Sequence, residues 1–217
     1  KQNKTFTATL EDGSSGCVNY LVGKSSPSLQ VLVAVVLALM GLFKNKRLEV
    51  ISDGATWISR WISRLQLPEV YQILCWYHLC KRVCEGLSGL GFSKEERTRW
   101  QQMILGHLWK GNVNNALEIL KELLPRCRVP QRVEELRDYL INKKWTIPDY
   151  AERWEQGLWI ASTRVEKWND MAVAGRCKHR GMSWTENGVL AVARHAAKKK
   201  RNTNQTAQIN TTKHTTL

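Results

Sequence analysis

The sequence predicts an α/β fold: a mixed sheet with helices on its faces, interrupted by an all-helical insertion. Three observations carry this. Two β-rich runs flank an Asp-Gly turn near the start, which is a hairpin signal. Two more short apolar runs follow, separated by a segment with helical spacing, which reads as a βαβ crossover. From Trp76 to about Ile160 the apolar residues recur at helical intervals only.

The elements follow in order. Thr5 to Leu10 alternates and is β-rich; Glu11 to Gly16 is a turn; Cys17 to Val22 is the return strand. Ser25-Ser26-Pro27-Ser28 opens a helix, with Ser and Pro as start signals. Val31 to Phe43 is almost wholly apolar and reads as a helix buried against a sheet. It falls short of the about 20 residues that a membrane span needs. Leu48 to Ser52 is a strand ending at Asp53; Gly54 turns the chain, and Trp57, Ile58, Trp61 and Ile62 form a helical stripe. Leu67-Pro68 breaks it, and Val70 to Cys75 is the next strand.

Leu79, Val83 and Leu87 begin the helical region. Gly111-Asn112 and the stretch Pro125 to Pro130 divide it, and Val133, Leu136, Tyr139 and Leu140 make a later helix. Lys94, Glu95, Glu96, Arg97 and Arg99 read as a solvated face. Ser162 or Thr163 caps a helix running to Arg176, and a last helix spans Asn187 to Ala197. The tail from Lys198, rich in Asn, Thr and Lys, lacks periodicity and is expected to be disordered. The expected division is 1–84 for the first part of the sheet domain, 85–160 for the helical insertion, 161–197 for the returning helices and 198–217 for the tail.

Composition narrows the function. The chain has 217 residues, 43% apolar, with 33 basic and 19 acidic residues and a net charge of +14. A chain this basic points to a polyanionic partner, nucleic acid first. Six scattered cysteines and no secretory signal point to reduced thiols in a cytoplasmic protein rather than a disulfide scaffold.

Asp53 is the first candidate for chemistry. An acid at the carboxyl end of a buried strand lies on the rim of a sheet, where open α/β folds bind ligands. Asp is also a favoured helix N-cap, so a capping role stays open. Glu166 is the second acid, in the first turn of a later helix, where it could instead complement the helix dipole. Two carboxylates brought together from distant segments repel unless divalent cations lie between them. Magnesium suits such a pair and can activate a nucleophile for phosphoryl transfer. Cys75 and His78, with Cys80 and Cys84, offer zinc donors, but the spacing Cys-x2-His-x-Cys-x3-Cys is not a common zinc arrangement. Small core thiols and a capping or core histidine are the alternatives. Arg164, Lys167, Arg176, Lys178, His179 and Arg180 concentrate charge around Glu166, with Trp168 and Trp184 among them. Such a mixture can neutralise phosphates and stack on unpaired bases, or be a solvated face over core tryptophans.

The order Asp-Gly-Ala-x-Trp-Ile (from Asp53), Cys-Trp-Tyr-His (from Cys75), Ser-x-x-Val-Glu-Lys-x-Asn-Asp (from Ser162) and Arg-x-Lys-x-x-Gly-Met-x-Trp (from Arg176) resembles bacterial insertion-sequence transposases. These are DDE enzymes of the mutator-like superfamily, and the likeness is nearest to the Kra-type elements. It covers roughly residues 48–195.

The resemblance implies a ribonuclease-H-like mixed sheet with its helical insertion between the second and third catalytic acids. Asp53 would be the second acid and Glu166 the third, both metal ligands for Mg2+ or Mn2+. Cys75 and His78 would be the Cys-x-x-His signature beside the active site, with His78 among the catalytic groups. Arg164, Lys167, Arg176, Lys178, Arg180 and Trp184 would contact DNA. The implied partners are transposon ends and target DNA, with a homo-oligomer assembled on DNA, no membrane, and a prokaryotic, nucleoid-associated location. The first acid belongs on the first strand, which is expected upstream of Lys1, because the chain opens on what reads as the second strand. A site lacking it is expected to bind metal poorly. A decayed or split copy, an inactive DNA-binding remnant and a ribonuclease-H-like nuclease are the rival readings; a membrane protein built on Val31 to Phe43 is a weaker one.

Overall fold

The structure, a computed structural model, describes residues 6–11, 18–23, 25–41, 47–67, 69–171, 185 and 187–199. It is an α/β protein whose described residues form two compact units, Lys1–Lys46 with Thr163–Leu217, and Arg47–Ser162. Each is described by itself.

In the first unit, β1 (Phe6–Glu11) and β2 (Val18–Gly23) form an antiparallel pair in which Ala8 faces Leu21. The turn between them lies outside the described residues. A two-stranded ladder needs a covering element to be stable. Helix α1 (Ser26–Leu39) supplies one, packing on both strands through Leu29, Val33 and Leu37. Its start is strongly specified: Ser25 and Ser28 form a reciprocal capping box, with Pro27 in the first turn. The sequence predicts a helix buried against a sheet, and the face carrying Leu29, Val33 and Leu37 is buried in this way. Val31, Val35 and Leu39 are exposed, because a helix resting on one two-stranded ladder covers one face only. The C-terminal helix, residues 187–199, buries Val189, Leu190, Ala193 and Ala197 in a small core with Val22. It takes in Lys198 and Lys199, which the sequence assigns to the tail; the rest of the tail lies outside the described residues.

In the second unit, β3 (Leu48–Ser52) and β4 (Val70–Leu74) run parallel, with Ser52 opposite Leu74. Helix α2 (Thr56–Arg64) connects them, and its Ser59 hydroxyl donates to Gln72 on β4 at 2.7 Å. A parallel pair needs such a crossover, and its β-branched residues suit burial. The described residues hold two two-stranded ladders, one antiparallel and one parallel, and the expected single mixed sheet is not found among them.

The helical region follows as α3 (Trp76–Gly86), α4 (Lys94–Trp109), α5 (Val113–Leu123), α6 (Pro130–Lys143) and α7 (Tyr150–Glu155). Their apolar stripes meet in one core with the end of β4, including Leu74, Leu79, Val83, Leu108, Leu120, Leu136 and Leu140. The expected boundary near residue 84 is thus no break in packing: α3 belongs to the same core as the insertion. No described helix is long and apolar enough to cross a membrane.

Candidate functional site

Asp53 follows the last residue of β3 and is exposed. It does not cap α2. That position falls to Ala55, whose side chain offers no cap. The Asp53 carboxylate instead accepts the Ala55 N–H at 2.9 Å, and the Ser52 hydroxyl accepts the Gly54 N–H at 3.2 Å. These bonds fold a local turn of the kind Asp and Ser favour. Gly54 has φ +80°. A Cβ there would come within 2.9 Å of Leu74 Cδ1, so the turn requires glycine. The turn holds Asp53 at the carboxyl end of the parallel pair, on the rim where open α/β sheets bind ligands.

The helical region closes over this end. Lys143, at the end of α6, donates from Nζ to the Gly54 carbonyl. Tyr150 donates its hydroxyl to the Leu74 carbonyl at 2.7 Å, and burial pushes its phenol far up, so it stays protonated. Trp76 and Trp109 pack around Tyr150, with ring centroids 4.9 and 6.3 Å from it. Tyr139, one turn before Lys143, is also raised, first by burial and further by the Asp53 charge, while Arg82 opposes the shift. The Arg82 guanidinium lies 5.5 Å from the Tyr139 ring centroid. Lys143, Tyr139 and Arg82 thus add two cations and a phenol to the Asp53 end.

Cys75 is fully buried at the start of α3. Its N–H donates to the Ser52 carbonyl at 2.7 Å, and its Sγ accepts from the N–H and hydroxyl of Ser162, both at 3.3 Å. His78 is half-buried in the first turn of α3, edge-on to Tyr77 with centroids 5.5 Å apart. Its nearer ring nitrogen lies within 4.8 Å of Cys75 Sγ. The Cys-x-x-His spacing therefore brings thiol and imidazole together across one helical turn. Burial raises the Cys80 thiol to about 12, with Cys84 and Cys75 adding to it. The four described cysteines, Cys75, Cys80, Cys84 and Cys127, are free thiols.

Glu166 lies in the first turn of α8 (Thr163–Asn169), which packs on β1 in the other unit. Arg164 and Lys167 flank it on the same helix, both exposed. Asp53 and Glu166 belong to different units. Arg176, Lys178, Arg180 and Trp184 lie outside the described residues.

Sequence reasoning misses Lys143, Tyr139, Tyr150 and Arg82. The basic-aromatic run Lys143-Lys144-Trp145 is the signal that could have found the first of them. It also misses Arg153, which is buried and ties Glu49 on β3, at 2.7 Å, to the Trp159 carbonyl. No protein-family model matches the chain, and no curated protein or solved structure is significantly similar to it.

Proposed function

We propose that this chain is part of the catalytic domain of a DDE transposase on a ribonuclease-H-like fold, acting on DNA by metal-dependent phosphoryl transfer. The observation that carries the reading is the position of Asp53. It is an exposed carboxylate at the carboxyl end of a parallel strand, on a turn that admits only glycine next to it, with Cys75-x-x-His78 at the start of the helix after the neighbouring strand. The helical insertion after that motif, the net charge of +14 and the sequence resemblance agree with it.

The donor set suits magnesium in part. Asp53 offers the hard oxygen that magnesium takes while keeping several waters. Cys75 and His78 are softer donors and fit a supporting role better than magnesium ligation. Bound magnesium would activate the attacking water or 3′-hydroxyl and stabilise the leaving oxygen. In this reading Asp53 and Glu166 hold the metal, and Lys143 offsets phosphate charge beside Asp53. Arg164 and Lys167, with Arg176, Lys178, Arg180 and Trp184, bind the DNA; copies of the chain assemble on it.

A second reading, DNA binding without cleavage by this chain, is favoured by one observation. The net charge of +14 calls for a polyanionic partner without calling for chemistry on it. One experiment separates the two. The chain is incubated with supercoiled plasmid and Mg2+ or Mn2+, and its DNA affinity is measured in parallel across salt concentrations. Metal-dependent nicking that Asp53→Ala or Glu166→Ala abolishes supports the enzyme. Salt-sensitive binding without nicking supports the binding reading, and no DNA binding overturns both.

A further inference from the structure

We propose that Trp145, beside the Lys144 ammonium, is a stacking contact for an unpaired DNA base at the carboxyl end of the β3–β4 pair. The proposal rests on the DNA reading above and adds a binding site to it. Residues Lys144–Thr146 form a single 3-10 turn that packs against β4. Two bonds fasten the chain on either side. Lys143 donates to the Gly54 carbonyl just beyond β3, and Tyr150 donates to the Leu74 carbonyl at the end of β4. Both acceptors lie at the end of the pair that carries Asp53, so the turn between them lies there too. The Thr146 hydroxyl donates to the Lys143 carbonyl at 2.8 Å, the Ile147 N–H to the Lys144 carbonyl at 3.3 Å, and Ile147 is buried.

On this fastened turn Trp145 is 92% exposed. An isolated exposed apolar side chain needs no explanation. This one differs in its neighbours. The Lys144 ammonium lies 5.8 Å from the indole centroid and donates to Asn114 Oδ1 at 3.0 Å. A flat aromatic face next to a cation matches a ligand with a π-face and a phosphate beside it, which is a nucleotide of a single strand. It matches an apolar protein partner less well, because docking one would desolvate the Lys144 ammonium. Bases inside a duplex are already stacked on each other. The indole would therefore take a base that is unpaired, at a cut end or displaced from the helix.

The test is fluorescence anisotropy of the 217-residue chain with a labelled single-stranded oligonucleotide and with a blunt duplex of the same sequence. Trp145→Ala should weaken single-strand binding about tenfold or more while leaving duplex binding nearly unchanged. Trp145→Phe should restore most of the loss, since it keeps an aromatic face. At 92% exposure neither substitution removes core packing, and circular dichroism checks this. Unchanged single-strand affinity in Trp145→Ala overturns the proposal and leaves the DNA reading standing if the wild-type chain still binds. Absence of any DNA binding by the wild-type chain overturns both. If Trp145→Ala dissolves a dimer seen in sedimentation yet leaves single-strand affinity intact, the indole belongs to an interface between copies, and the proposal is overturned.

Discussion

A single methyl group at position 54 would meet Leu74 Cδ1 at 2.9 Å and Lys143 Cε at 3.3 Å, on a backbone with φ +80°. Gly54→Ala should therefore destabilise the second unit by about 1–3 kcal/mol in urea unfolding, from the left-handed backbone and the contact together. Glu49 makes a second prediction. The hydrogen bond from Arg153 holds its carboxyl below the ordinary value, against the opposing effect of burial, with further help from the Arg153 and Arg47 charges. A carboxyl whose folded-state pKa is depressed adds stability above its unfolded value. That stability is lost as pH falls from about 4.5 through the lowered value. Glu49→Gln should thus lower the urea midpoint at neutral pH and leave it nearly unchanged well below the glutamate range. A loss of equal size at both pH values would show that the carboxylate charge is not what matters.

Helix α1 was legible in the sequence because its signals are local: Ser25, Pro27 and Ser28 lie within one turn. The strands β3 and β4 were legible because β-branched residues cluster between a basic run, an Asp-Gly turn and a Leu-Pro break. Asp53 was legible as a candidate, but its alternative as a helix cap could be decided only by seeing that Ala55 takes that position. The anchors of the helical region were not legible. Lys143 reaches Gly54 across 89 residues, Tyr150 reaches Leu74 across 76, and Arg153 reaches Glu49 across 104. No local pattern specifies such pairs; the shared core brings them together.

These anchors make testable claims about the elements they join. Tyr150→Phe removes one buried hydrogen bond and leaves the Leu74 carbonyl unmatched. It should cost about 1–3 kcal/mol, with the helical content unchanged by circular dichroism. Leu140→Ala, in the fully buried face of α6, should cost about 2–5 kcal/mol. If Tyr150→Phe were neutral, α7 would owe its position to packing alone. The element scale also explains why α1 leaves Val31, Val35 and Leu39 exposed. The apolar run buries Leu29, Val33 and Leu37 against a ladder that, among the described residues, has two strands, and its far face stays open.

For the whole molecule, charge is the dominant feature. With 33 basic residues against 19 acidic ones, DNA binding should weaken steeply and log-linearly with salt, as counterions are released. A binding constant indifferent to salt would remove the phosphate backbone as the partner. Charge alone does not distinguish a catalytic domain from a passive binder; metal binding at Asp53 would. The most direct measurement is Mn2+ binding to the 217-residue chain, followed by electron paramagnetic resonance with Mg2+ as competitor, in wild type and Asp53→Asn. Asp53 is exposed and its turn is formed by backbone donors and Gly54, so the variant should keep its fold. The account predicts a weak Mn2+ site that Mg2+ displaces and that Asp53→Asn abolishes. Equal Mn2+ binding by the variant, or none by the wild type, would contradict the assignment of Asp53 as a metal ligand.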